Sequence, residues 1–452
     1  MGGIADEART KMNMPKNLDK RDFVIMLVIL FLGFSYMYFY NSHKIISPIG
    51  DAGYNRLAVN ILNGNGFSMQ ENPPFTPSCF RTPAYPVFLA FIYKIFGVNN
   101  YEAVRLVQIF LMLSSALVAF ITAYIVFKNK MIAYLSLILC SFYKYPAFDS
   151  GIYGYLMTET LTIFLITSGI LCVILLYKYD HSYLYCLAGL FFALSMLTRP
   201  ANLLFPIVIA LYLAFRKPLK ENYKKIILFL LVIFALVFPW TVRNYLRFNK
   251  FIILSVPLDG LLTFYGSITH NPEFILYPVP SDFGKCGVYI APQDLELAKK
   301  EINALLMSYG NLDGLQLYVH DNELKKIGLK IIKRDYLCFI KGWGYRILGH
   351  WNFGDLANIL NGITKTVTFG TILKIMIKLA VVLIIMVGIF INFKNKLFPL
   401  LLLFPVYNTL IYTLFIGRLR YALPSYCFIF ILFSAGIWKL CDFSLAKIRK
   451  YQ

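Results

Sequence analysis

Apolar residues fill long stretches of this chain with almost no polar interruption. The first run covers 23–40 and follows Lys20, Arg21 and Asp22. Others cover 103–127, 131–148, 160–177, 183–197, 201–215, 226–240, 372–391, 397–416 and 421–440. A bilayer-crossing helix needs about 20 mostly apolar residues, so the pattern predicts about ten transmembrane helices, the fifth to seventh of them short. The first run is long for a signal segment and lacks a small-residue cleavage site, so it reads as a retained anchor.

Two stretches break the pattern, 42–102 and 243–370. Long connections are usually functional when they are ordered. The first carries a helical pattern with Asp51 at its N-terminus, where Asp suits an N-cap, and Gly64 at its end. A second pattern follows Pro83 and Pro86, which suit a first helical turn, and stops at Gly97. It is apolar but too short to span, and is predicted to lie in the membrane interface. In 243–370, helical patterns occupy 293–308 and 313–347, with Leu324, Ile327 and Ile331 at helical spacing. The expected fold is an all-α polytopic membrane protein with interfacial helices in the first outer loop. A small, mainly helical outer domain is expected between spans seven and eight. This divides the chain into a transmembrane module (1–242), the outer domain (243–370) and C-terminal transmembrane helices (371–452).

Composition agrees. Of 452 residues, 58% are apolar and only 15% charged, against about 25% charged in soluble domains. An ordinary soluble enzyme is excluded, and so is disorder, which needs low hydrophobicity. Lys and Arg number 44 against 23 Asp and Glu, a net charge of +21. That excess invites a nucleic-acid partner. The uninterrupted apolar runs exclude one and place the cations at lipid headgroups instead. The densest clusters fall on alternate connections: Arg9 to Arg21, Lys128 with Lys130, Arg216 to Lys225, Lys394 with Lys396, and Lys447 to Lys450. Positive residues favour the cytoplasmic side, so both termini are expected there, in a multi-pass plasma (inner) membrane protein. Both long stretches then face outward. The eight cysteines show no metal-ligand spacing. Cys79, Cys286 and Cys338 fall on the outer side, where one disulfide fits and no pairing can be deduced.

The candidate chemistry gathers on that outer side. Asp51 is a carboxylate at the membrane surface, suited to general-base work as well as to capping. Arg81 stands just before a helix N-terminus, where backbone N–H groups favour anions and an arginine fork fits phosphate. Glu159 lies at the outer end of the fourth span, costly unless paired or used. Arg199, Arg243, Arg418 and Arg420 fall on the same side. Each arginine alone suits an interfacial anchor; together they suggest a site for a phosphorylated lipid. His350, beside Trp351, suits substrate binding or a plain interfacial histidine. Walker A, dinucleotide-binding, HExxH and GxSxG motifs are absent, so energy for a reaction must come from the substrate itself.

Several motifs follow in order: Asp51-x-x-Tyr54, Gly64-x-Gly66-Phe67, Arg81-Thr-Pro-Ala-Tyr85-Pro86, Thr158-Glu159-Thr160, Leu-Thr-Arg199-Pro200, Pro239-Trp240-x-x-Arg243-Asn-Tyr245 and Arg418-x-Arg420-Tyr421-x-x-Pro424. This order resembles bacterial and archaeal GT-C glycosyltransferases related to protein mannosyltransferases and to the aminoarabinose transferase of lipid A. The resemblance covers most of 20–440 and is weakest at about 250–340. It implies transfer of a sugar from a polyprenyl-phosphate donor to a glycan, lipid or protein acceptor at the outer face, with inversion. It also implies catalytic roles for Asp51, as general base, and Glu159, as the supporting acid. Donor-phosphate binding falls to Arg81, with Arg243 and Arg420 as further candidates. Tyr54, Tyr85, Arg199 and His350 are candidates for substrate binding. Protein mannosyltransferases usually carry a second acid after the first. Here Ala52 takes that place, so no metal or other cofactor is expected, with a divalent ion left open. A secondary transporter or lipid flippase, and a surface-polysaccharide polymerase or ligase, remain as alternatives.

Overall fold

A computed structural model describes residues 18–42, 53–143, 156–216, 219–255, 293, 296–298, 300–301, 314–334, 336–360, 368–414 and 417–451. No strand occurs among them. The helices are α1 (Lys20–Ser42), α2 (Tyr54–Leu62), α3 (Ala84–Phe96), α4 (Tyr101–Phe127), α5 (Lys130–Phe142), α6 (Glu159–Tyr179), α7 (Ser182–Thr198), α8 (Phe205–Arg216) and α9 (Leu219–Phe248). They continue as α10 (Gly314–Arg334), α11 (Tyr336–His350), α12 (Gly354–Leu360), α13 (Phe369–Asn392), α14 (Phe398–Thr413), α15 (Leu419–Ala422) and α16 (Tyr426–Tyr451).

Each of the ten predicted spans overlaps a helix among the described residues, and six helices are long and apolar enough to cross a membrane on their own. The other four, at Lys130–Phe142, Ser182–Thr198, Pro200–Phe215 and Phe398–Thr413, are shorter. Pro200 explains one of these limits: it disfavours helical backbone at Arg199, so α7 ends there. The predicted span 226–240 is longer than its apolar run, because α9 extends it at both ends.

The helices pack as a bundle. α6 packs on α7 and α4, α7 on α9, and α16 closes against α13 and α5. Small residues set the closest crossings, as in membrane bundles generally. A Cβ on Gly436 would lie 2.0 Å from the Ile384 carbonyl oxygen, and one on Gly388 2.3 Å from that of Leu432, so α13 and α16 touch backbone to backbone. The buried core runs through α4 to α9 and returns through α14 and α16.

Tight turns and ion pairs mark one end of the bundle. The Asn129 side chain accepts from the backbone N–H groups of Met131 and Ile132, capping α5 directly after α4. Lys130 pairs with Asp22 at 2.6 Å, and Lys225 with Asp180 at 2.8 Å. Asn395 donates to the Val126 carbonyl at 2.7 Å. The opposite end collects the Arg81 loop, the start of α6, the end of α7 and the turn from α14 to α15.

Three expectations change in detail. α2 begins at Tyr54 and its N-cap is Gly53, at φ 83°, a left-handed conformation that suits glycine. Asp51 is therefore not the cap, and it lies outside the described residues. The pattern at 313–347 is helical in α10 and α11 on either side of Asp335, which lies outside the described residues, and the helix reaches His350. The pattern at 293–308 and Cys286 lie mostly or wholly outside the described residues. The short apolar helix after Pro83 is present as α3. It ends at Gly97 and leaves Val87, Phe91 and Ile95 exposed along one face.

Candidate active site

Glu159 opens α6, where unpaired backbone N–H groups and the helix dipole favour a carboxylate. It is completely buried. Its Oε1 accepts a hydrogen bond from Nε of Arg420, in the short helix α15, and lies 3.8 Å from Nη1 of Arg199, at the end of α7. Two guanidinium groups thus face one carboxylate. A buried charge is costly unless paired, and among the described residues these two arginines are the ion-pair partners of Glu159.

Tyr412 and Tyr421 stack beside this pair with centroids 4.6 Å apart and rings 8° from parallel. The Arg199 guanidinium is 5.4 Å from both centroids. Equal distance from two stacked rings puts it at their shared rim rather than over a face. His350 stacks on Tyr412 at 6.4 Å. It is completely buried. Burial pushes its imidazole down to about 4, so it is neutral at physiological pH. Asn408 donates to the Tyr421 carbonyl at 2.8 Å and so holds the segment that carries Arg420. Glu159 Oε2, Arg199 Nη1, His350 Nδ1 and Asn408 Oδ1 are buried without a hydrogen-bond partner. Such atoms mark where water or a substrate group belongs.

The first outer loop forms the other wing. The Arg81 guanidinium lies 4.2 Å from the Phe80 ring centroid and 5.2 Å from that of Tyr54. Tyr54 packs edge-on against Tyr85 at 5.1 Å. The hydroxyls of Tyr85 and Thr160 both donate to Oε1 of Gln108, each at 3.1 Å. Gln108, buried in α4, therefore ties α3 to the start of α6 next to Glu159. A second buried link runs from Thr82 Oγ1 to the Thr198 carbonyl at 2.9 Å. It joins the residue after Arg81 to the residue before Arg199. Arg81, Tyr54, Tyr85, Glu159, Arg199, Arg420 and His350 are brought into one connected region.

Arg243 stands apart from that group. Its Nη1 donates to the Ser78 carbonyl at 2.7 Å and to Asn244 Oδ1 at 2.9 Å. The rings of Trp240, Phe67 and Phe248 surround it at 4.7, 5.5 and 5.5 Å. Of the three expected phosphate ligands it is the one committed to bracing the loop that leads to Arg81. Among the described residues no three His, Cys, Asp or Glu side chains converge as metal ligands.

Sequence reasoning passed over Gln108, Asn408 and Tyr412, and gave Tyr421 a place in a motif but no role. An amide inside an apolar span is expensive without a partner, and that was the available signal for Gln108 and Asn408. The two tyrosines carry no such signal.

An all-helical membrane bundle with an acid and arginines gathered at one end has the GT-C fold of membrane glycosyltransferases. The dolichyl-phosphate-mannose-protein mannosyltransferase family matches residues 80–242, a stretch that takes in Arg81, Glu159 and Arg199. The archaeal oligosaccharyltransferase AglB from Archaeoglobus fulgidus, solved with an inhibitory peptide and a dolichol-phosphate, superposes with a TM-score of 0.52 at 14% identity. That match covers 96% of this chain and 52% of the other. The apo form of the Archaeoglobus fulgidus oligosaccharyltransferase also gives 0.52 at 14% identity, over 94% of this chain and 51% of that one. This chain spans about half the length of those relatives. ArnT from Cupriavidus metallidurans, bound to undecaprenyl phosphate, superposes more loosely, at 0.39 and 12% identity, over 92% of this chain and 76% of that one. No curated protein sequence matches the chain.

Proposed function

We propose that this protein is a membrane glycosyltransferase. It moves a sugar from a polyprenyl-phosphate donor to an acceptor hydroxyl on a glycan, lipid or protein, inverting the anomeric carbon. The observation that carries this reading is the pair of arginines on the buried Glu159 carboxylate, linked through Gln108 and Thr82 to Arg81.

The chemistry follows from those groups. The acceptor oxygen attacks the anomeric carbon, and the bond from that carbon to the phosphate oxygen breaks. The bonding electron pair leaves with the lipid phosphate, and the hydroxyl proton passes to a carboxylate. Arginines aimed at the leaving phosphate stabilise the charge that grows there. In this account Arg81 and Arg420 take the phosphate, and Arg199, Tyr54, Tyr85 and His350 line the substrate region. Glu159 holds the two arginines in place without touching the proton. Asp51, three residues before Tyr54 in the chain, is the general base. Arg243 acts through the loop that carries Arg81.

The lysine-bearing end of the bundle supports the orientation. It carries Lys130 and Lys225, members of the clusters that favour the cytoplasm. The site then faces outward, with both termini inside. The test is Asp51→Asn, assayed for sugar transfer in membranes at matched protein level. Loss of transfer is expected; full activity would remove Asp51 from its role.

A further inference from the structure

α10 and α11 carry a surface that sugar transfer does not use. Along their exposed side lie Lys325, Lys326, Lys330, Lys333, Arg334 and Lys341. Large apolar side chains share that side: Leu329 is 43% exposed, Tyr336 57%, Leu337 68% and Ile340 54%. The opposite side of α10 is buried through Leu324, Ile327 and Ile331, so the exposed side is the one left for a partner. Lys326 pairs with Glu323 at 2.6 Å, and Lys330 and Arg334 also have partners within the chain.

The height of this surface is set by α11. Trp343 Nε1 donates to Thr413 Oγ1 and Arg346 Nε to the Thr413 carbonyl, both at 2.8 Å. A Cβ on Gly349 would lie 2.5 Å from the Gly417 carbonyl oxygen, so α11 is pressed onto the turn after α14. Thr413 is the last residue of an apolar helix, at the end of the bundle that holds Glu159. α11 is therefore moored at that end of the bundle.

We propose that the exposed side of α10 and α11 is a seat for anionic phospholipid headgroups of the leaflet it faces. Cations bordering bulky apolar side chains define a helix that lies in a bilayer surface. The lysine stems snorkel towards phosphates while Leu337 and Ile340 enter the acyl boundary. A soluble anionic glycan would satisfy the cations but leave those apolar groups in water. The inference stands independently of the proposed reaction.

Hydrogen exchange on the full-length protein in nanodiscs tests it. One set of discs holds phosphatidylcholine alone, the other equal parts phosphatidylcholine and phosphatidylglycerol. Exchange across 319–341 should slow at least about tenfold in the anionic discs, given several cations near a charged surface. The combined K325Q, K326Q, K330Q and K333Q variant should lose that slowing. Equal exchange in both discs would overturn the proposal. So would slowing produced by soluble polyglutamate in neutral discs but not by phosphatidylglycerol. A photoreactive residue at position 337 gives a second measurement in case the combined variant misfolds. Crosslinks to phospholipid support the seat, and crosslinks only to protein contradict it.

Discussion

Replacing Arg420 by Gln should have opposite consequences in two backgrounds. In the native protein, Glu159 faces Arg199 at 3.8 Å, which at an effective dielectric of about 20 is worth roughly 4 kcal/mol. The Arg420 contact is closer. Its side chain is 34% exposed, so screening brings its share to a similar size or below. Glu159→Gln loses both attractions and leaves two guanidinium groups without a counter-charge. The expected cost is at the upper end of about 3–5 kcal/mol. Arg420→Gln leaves Glu159 with Arg199 and should cost less, about 1–3 kcal/mol. With Gln already at 159, Arg420 has lost its Glu159 counter-charge, so the same change should be neutral or stabilising. The coupling energy in this cycle should be about 3 kcal/mol. Unfolding of the four proteins, purified in one detergent, measures it. Losses that add to within about 0.5 kcal/mol would refute the electrostatic account of the cluster.

Gln108→Leu removes the acceptor shared by Tyr85 and Thr160. It should cost about 1–3 kcal/mol in an unfolding assay and also lower sugar transfer; stability loss with full transfer would separate Gln108 from the site. Gly436→Ala places a methyl group 2.0 Å from the Ile384 carbonyl oxygen and should cost about 1–3 kcal/mol. Gly344→Ala meets nothing within 4 Å and should instead stabilise by about 0.5–1 kcal/mol, as read from paired melting curves. Burial holds the His350 pKa near 4, below the ordinary 6.5, so the unfolded chain binds more protons between those values. The contribution of His350 is full above about pH 6.5 and drains as pH falls towards 4, by about 3 kcal/mol in all. His350→Phe should flatten that acid limb in a series of melting curves, and an unchanged limb would show that another group controls it.

The spans were legible because twenty apolar residues in a row have few other uses. Glu159 was legible for the same reason, as an acid at the edge of an apolar helix. Its partners were legible only as a list of arginines on one side. That Arg420 and Arg199 reach it while Arg243 does not depends on contacts between residues far apart in the chain. Arg243 and Arg420 each sit in a short motif with aromatic neighbours, and periodicity cannot tell a brace from a ligand. The burial of His350 was not legible, because it depends on α11 being pressed against the turn after α14 at Gly349 and Gly417. The start of α2 at Gly53 rather than Asp51 turns on one left-handed residue, a local choice that Asp-x-Gly leaves open.

The central claim is that Arg81 and Arg420 serve one lipid phosphate beside Asp51. Its most direct test is a cryo-electron microscopy map of the full-length protein in nanodiscs supplied with undecaprenyl phosphate. The account predicts phosphate density between the two guanidinium groups, with the Asp51 carboxylate facing the same cavity. Phosphate density elsewhere, with Arg81 and Arg420 making no contact to it, would contradict it.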